Sequence, residues 1–114
     1  MPPNVSTNVS TKKPIVLVHG AWGGAWIWRR VLAPLRAAGH EVHAVTLTGD
    51  GERAHLRHRG ITLQTHVADV VGLVQAEELQ GVLLVGHSYG GQVITGAADR
   101  LLQRPMRQPG AAAC

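Results

Sequence analysis

The sequence predicts an α/β domain, a three-layer α/β/α arrangement around a parallel sheet, and two observations carry this. Short apolar runs near residues 14–18, 41–47 and 82–85 alternate with segments whose apolar residues recur at helical spacing. Strands separated by helices are joined by right-handed crossovers, which makes the strands parallel and puts helices on both faces. In addition, the runs PIVLV and VLLV hold Val, Ile and Leu at successive positions. A strand apolar on both faces belongs in a sheet buried on both sides.

The elements follow in order. Residues 1–13 (MPPNVSTNVSTKK) have the Pro, Ser, Thr and Asn content of a disordered lead-in. Pro14–Val18 reads as the first strand, closed by His19-Gly20 and the loop Ala21-Trp22-Gly23-Gly24. Trp28, Val31, Leu32 and Leu35 then form the stripe of an amphipathic helix. Pro34 removes a backbone donor inside it and predicts a kink or a break, and Gly39 is placed to end it. Glu41–Leu47 reads as the second strand, and residues 48–62 as a long polar loop. A helix from Thr65 to about Leu79 carries Val67, Val70, Val71 and Val74 on one stripe. Val82–Val85 is the third strand, and a third helix runs from about Gln92 to Leu102. The partial domain therefore spans 14–102, with 103–114 (QRPMRQPGAAAC) an irregular tail.

Composition narrows the function classes. The chain has 114 residues, 45% of them hydrophobic, which suits one small globular domain. The formal charge is +4, and much of the excess lies in Lys12-Lys13, Arg53–Arg59 and Arg100–Arg107, the first and last of these near the two ends. Without a nucleic-acid-binding signature, no nucleic-acid partner is expected. A single cysteine, Cys114, excludes an internal disulfide framework and fits a reducing compartment. The polar start has no apolar run long enough for a signal core or a membrane span, so the expectation is a cytoplasmic protein without membrane contact.

The chemistry centres on Gly86-His87-Ser88-Tyr89-Gly90, between the third strand and the third helix. This is the G-x-S-x-G nucleophile elbow, in which a tight, strained turn lifts the serine hydroxyl above the sheet edge. Gly86 and Gly90 are required where strand and helix cross, and Gly91 is expected to ease the same approach. The bland alternative is a tight turn with an incidental serine. The Tyr89 N–H at the helix start is one candidate oxyanion donor, and the Ala21 N–H, from the loop after the first strand, is the other. The rival for that loop, a dinucleotide-binding turn, lacks the G-x-G-x-x-G spacing. Trp22 is placed to line a pocket, with core packing the alternative, while Trp26 and Trp28 are expected to pack on the sheet. His55 and His58 lack a zinc-ligand pattern, so neither metal nor cofactor is expected.

His19-Gly20-Ala21-Trp22, TLTGDGERAHL, THVADVV and VGHSYGG together resemble the α/β-hydrolase family. More narrowly they resemble small bacterial esterase-like members related to the plant methylesterase and hydroxynitrile lyase group. The resemblance covers about Pro14 to Arg100 and implies the N-terminal portion of that fold. It also implies Ser88 as nucleophile, Ala21 and Tyr89 as oxyanion donors, and hydrolysis of a small carboxylic ester through an acyl-enzyme. An apolar residue is implied where Asp50 stands.

The acid and histidine of a triad should follow the serine in this fold. After Ser88 the chain has one carboxylate, Asp99, and no histidine. Asp99 lies eleven positions on, about 16 Å along a helix. Of the earlier histidines, His19 is expected to hydrogen-bond the backbone of the oxyanion loop and His87 to pack beside the turn. His40, His43, His55, His58 and His66 are expected on strand ends, loop or helix surface. The run Arg53-His55-Arg57-His58-Arg59 reads as a solvated loop. The expectation is a truncated or frame-shifted hydrolase chain, inactive alone. The alternative is a non-catalytic remnant that binds a partner or itself through the unpaired edge of a three-stranded sheet.

Overall fold

The computed structural model describes residues 12–103 and 112–113. Four buried residues, Ile15–Val18, form β1 in the middle of the sheet. The strand Val42–Val45 (β2) lies on one side of it and Leu83–Gly86 (β3) on the other, both parallel. In register, Val16 faces His43 and Leu84, and Val18 faces Val45 and Gly86. This is the predicted parallel sheet.

Alternation along β1 divides the core in two. Val16 and Val18 join Val67, Val70 and Val74 of the helix Leu63–Ala76 (α2) and Val93, Ala97 and Leu101 of the helix Tyr89–Leu102 (α3). Ile15 and Leu17 point the other way, with Val42, toward Trp28, Leu32 and Leu35. Leu32 and Leu35 belong to the helix Arg29–Ala37 (α1). The two faces are unequally covered, since α1 buries none of its residues fully while α3 buries six.

Several expectations change. Pro34 does not break α1, which runs through it after a 3₁₀ turn at Ala25–Trp28. Pro34 is exposed, so the carbonyl it leaves without a partner has access to water. Val31 and Trp26 are 41% and 54% exposed, so neither packs on the sheet, whereas Trp28 does. Gly39 does end α1, at φ +96°. The helix α2 starts at Leu63 rather than Thr65, because Thr62 caps it in a reciprocal box with Thr65. Likewise α3 starts at Tyr89, directly after the serine, rather than at Gln92.

The sheet also has a fourth strand. Ala112–Ala113 (β4) pairs in parallel with Leu83 and Leu84 on the outer side of β3. The tail is therefore not irregular throughout, and the β3 edge is partly occupied rather than open. An open edge offers backbone donors and acceptors to any extended segment, and alanines take such a place without signalling it in sequence. The remaining tail, 104–111 and 114, and the lead-in, 1–11, lie outside the described residues. Among the described residues no helix is long and apolar enough to cross a membrane.

Candidate active site

Ser88 stands at the head of α3 with φ +57° and ψ −122°. That region is sparsely populated for any residue with a Cβ and costs about 1–3 kcal/mol, so the surrounding packing must impose it. The glycines show how. A Cβ on Gly86 would fall on the Gly90 carbonyl and lie 2.8 Å from the Gly91 nitrogen. One on Gly90 would fall on the Val18 carbonyl and lie 2.8 Å from the His19 oxygen. Gly91 is different: a Cβ there meets nothing within 4 Å, so it does not ease the crossing as expected. The Val18 carbonyl also accepts the His87 N–H at 3.0 Å, which ties the elbow to the end of β1.

The loop after β1 turns back at once. Gly23 N–H donates to the Gly20 carbonyl at 3.2 Å, and Trp22 takes φ +66° within that turn. A Cβ on Gly20 would lie 3.1 Å from the His87 carbonyl oxygen and 3.2 Å from Ser88 Cβ, so loop and elbow are in close apposition. Among the described residues, neither the Ala21 nor the Tyr89 N–H has a backbone acceptor.

His19 is fully buried and bonds both ways. Its Nδ1 lies 2.6 Å from the Gly20 carbonyl oxygen, and its Nε2 lies 3.0 Å from the Leu47 nitrogen. A carbonyl only accepts and an amide N–H only donates, so Nδ1 carries the proton and Nε2 is the acceptor. The ring is therefore neutral, with both nitrogens engaged, and it holds the loop after β1 to the residues that follow β2. His87, by contrast, is exposed, with its ring beside Gly20.

A second histidine occupies an unforeseen place. His66 on α2 sits half-buried, its Nε2 2.9 Å from the Thr48 carbonyl oxygen and its Nδ1 2.8 Å from the Tyr89 hydroxyl. In the neutral ring, Nε2–H donates to Thr48 and Nδ1 accepts from Tyr89. Three residues further along α2, Asp69 takes the Thr48 N–H at 2.6 Å and the Thr48 hydroxyl at 2.7 Å. One turn of helix thus clamps the loop after β2 and steadies the first residue of α3. Nothing in the sequence marks this, because the partners are 18 to 23 positions apart and on different elements.

Between these loops lies a cavity of about 250 Å³, lined by Ala21, Trp22, Asp50, Arg57, His66 and Tyr89 among others. Both candidate oxyanion residues border it. Ser88 is exposed and outside the lining. Trp22 borders the cavity, is 80% exposed, and has Arg57 over its ring at 5.9 Å. The basic loop is therefore not simply solvated. Arg57 Nε also donates to the Gly49 carbonyl at 3.1 Å, and Arg53 to the Thr46 carbonyl at 2.9 Å. Asp99 is exposed on α3 and accepts from Gln103 at 3.0 Å.

Burial, and secondarily the negative charge of Asp50, push the Tyr89 phenol above its ordinary value of 10.0. Tyr89 is the only tyrosine in the chain, so absorbance at alkaline pH reports it alone. Titration of the folded protein is expected to give a phenol pKa above that of the denatured chain, and Asp50→Leu to narrow the gap. Stability follows the same sign. The folded value is raised, so the contribution is present below the unfolded pKa and is lost as pH rises through the folded one. Coincident titration of folded and unfolded chains would contradict this environment.

Known proteins resemble this chain in sequence and in fold. A family model described as the alpha/beta hydrolase family matches residues 15–113. The chain is 60% identical over 86 residues to a carbendazim hydrolyzing esterase of a Nocardioides species, across 75% of this chain and 36% of that protein. It is 38% identical over 93 residues to an esterase of Oryza sativa subsp. japonica, across 80% of this chain and 35% of that one. Among solved structures, an extracellular alpha/beta-hydrolase of a Paenibacillus species matches with a TM-score of 0.71 at 30% identity. That match covers 85% of this chain and 38% of the other. The chain spans about a third of the length of the curated relatives it matches.

Proposed function

This chain belongs to the alpha/beta hydrolase family, and from that premise we propose that it carries the nucleophile and oxyanion elements of an esterase acting on small carboxylic esters. The observation that carries the reading is Ser88, held at φ +57° at the head of α3 with the Ala21 and Tyr89 residues bordering one cavity. In this reading Ser88 Oγ attacks the ester carbonyl carbon and passes its proton to a base. The Ala21 and Tyr89 N–H groups hold the oxyanion of the tetrahedral intermediate, each worth about 2.7–4 kcal/mol by analogy with measured donors. Collapse of the intermediate expels the alcohol and leaves Ser88 acylated, and water then releases the acid. The esterase names of the relatives support this choice of substrate class.

The base is assigned to no residue of this chain. Of the imidazoles on the elements around the cavity, His19 and His66 have both nitrogens engaged. Ser88 is then a positioned but weakly activated nucleophile. A fluorophosphonate is expected to label the folded chain slowly and at Ser88 alone, with labelling abolished in Ser88→Ala. Mass spectrometry of the adduct locates it. Equal labelling of the Ser88→Ala protein, or none in a folded wild-type protein over hours, would overturn the assignment.

A further inference from the structure

We propose that Asp50 is a specificity-determining residue of the cavity, accepting a hydrogen bond from an uncharged O–H or N–H group carried by the substrate ester. The inference rests on the esterase reading above. Asp50 is only 9% exposed and borders the cavity, yet among the described residues its carboxylate neither accepts a hydrogen bond nor forms an ion pair. Its backbone is fully used, donating to Leu47 and accepting from Arg53, so the residue is fixed in place. Neighbouring carboxylates differ. Asp69 accepts from Thr48 twice, and Glu52 accepts from the Thr46 hydroxyl at 2.8 Å.

Unlike Trp28 Nε1 and His40 Nδ1, which are enclosed without a partner, the Asp50 oxygens are open to the cavity, where a donor on a ligand can take the place of water. The influence of Asp50 on the Tyr89 phenol puts its charge within reach of the oxyanion side of the cavity. A site built to take a hydrogen bond rejects analogues that cannot give one, because its own polar group is then left unpaired. Charge decides between an uncharged donor and a cation. Arg57 lines the same cavity, and its guanidinium opposes a second positive group while leaving a neutral donor unaffected.

The test compares binding of two near-isosteric esters to the whole chain, read from the Ala21 and Tyr89 amide resonances by NMR. Methyl 4-hydroxybenzoate offers a donor and methyl 4-methoxybenzoate offers none. The hydroxy ester is expected to bind at least about tenfold more tightly, as suits a hydrogen bond to a charged acceptor. Asp50→Leu is expected to abolish the preference and Asp50→Asn to reduce it, the second variant serving where the first does not fold. Equal binding, no binding of either ester at millimolar concentration, or a preference that survives both substitutions would overturn the proposal. Tighter binding of methyl 4-(aminomethyl)benzoate, a cation at neutral pH, would overturn it in favour of a charge-selecting site. No turnover is involved, so the two readings fail separately. A preference without Ser88 labelling sinks the esterase assignment, and labelling without a preference sinks this one.

Discussion

Alanine at Gly90 is expected to cost about 3 kcal/mol or more in chemical denaturation, at the upper end of what overpacking does. The added methyl has nowhere to go. It would fall on the Val18 carbonyl and within 2.8 Å of the His19 oxygen, both backbone atoms at the end of the central strand. Rotamer changes cannot relieve a clash between a Cβ and a backbone, so α3 must lift off β1. That movement breaks the His87–Val18 bond and releases the strained turn at Ser88. Alanine one residue on, at Gly91, meets open space inside the same helix. It is expected to be neutral or to stabilise by up to about 1 kcal/mol through helix propensity. Urea midpoints of the two variants check this directly. Comparable losses at both positions would mean that the pair of glycines serves helix flexibility rather than a close crossing.

That contrast also shows how far the sequence could be read. Strand β1 is legible because a short, β-branched apolar run suits a strand buried on both faces, and the turn from β3 to α3 because glycines flank a serine between strand and helix. A helical stripe is less informative. It says which residues share a face of α1, but not whether the sheet reaches far enough to cover that face, and so Val31 and Trp26 were misplaced. Pairings across elements left no trace at all. The His66–Tyr89 bond joins two helices 23 residues apart, and Asp50 enters the cavity only because a turn closed by Gly49 directs the loop inward. The two alanines of β4 carry no strand propensity to detect. They pair because an edge was available.

The histidines flanking the site offer the second large effect. His19→Leu is expected to destabilise by about 2–4 kcal/mol, because it leaves the buried Leu47 N–H without a partner, at about 1–3 kcal/mol, and takes from the Gly20 carbonyl one of its two donors, the Gly23 N–H remaining. Leucine fills much of the space, so the loss comes from unmet hydrogen bonds rather than from a cavity. His87→Leu removes an exposed ring from the elbow itself, and surface changes of that kind stay within about 0.5 kcal/mol. Denaturation midpoints should therefore separate two like substitutions by several kcal/mol. Fluorophosphonate labelling at Ser88, measured where each variant is folded, separates structure from chemistry. If His19 were the base, its loss would abolish labelling and leave stability nearly intact. The hydrogen bonds require the reverse order. Stability falls first, and labelling declines only as the loop after β1 loosens from the end of β2, since the ring that secures that loop has no nitrogen left for a proton from Ser88.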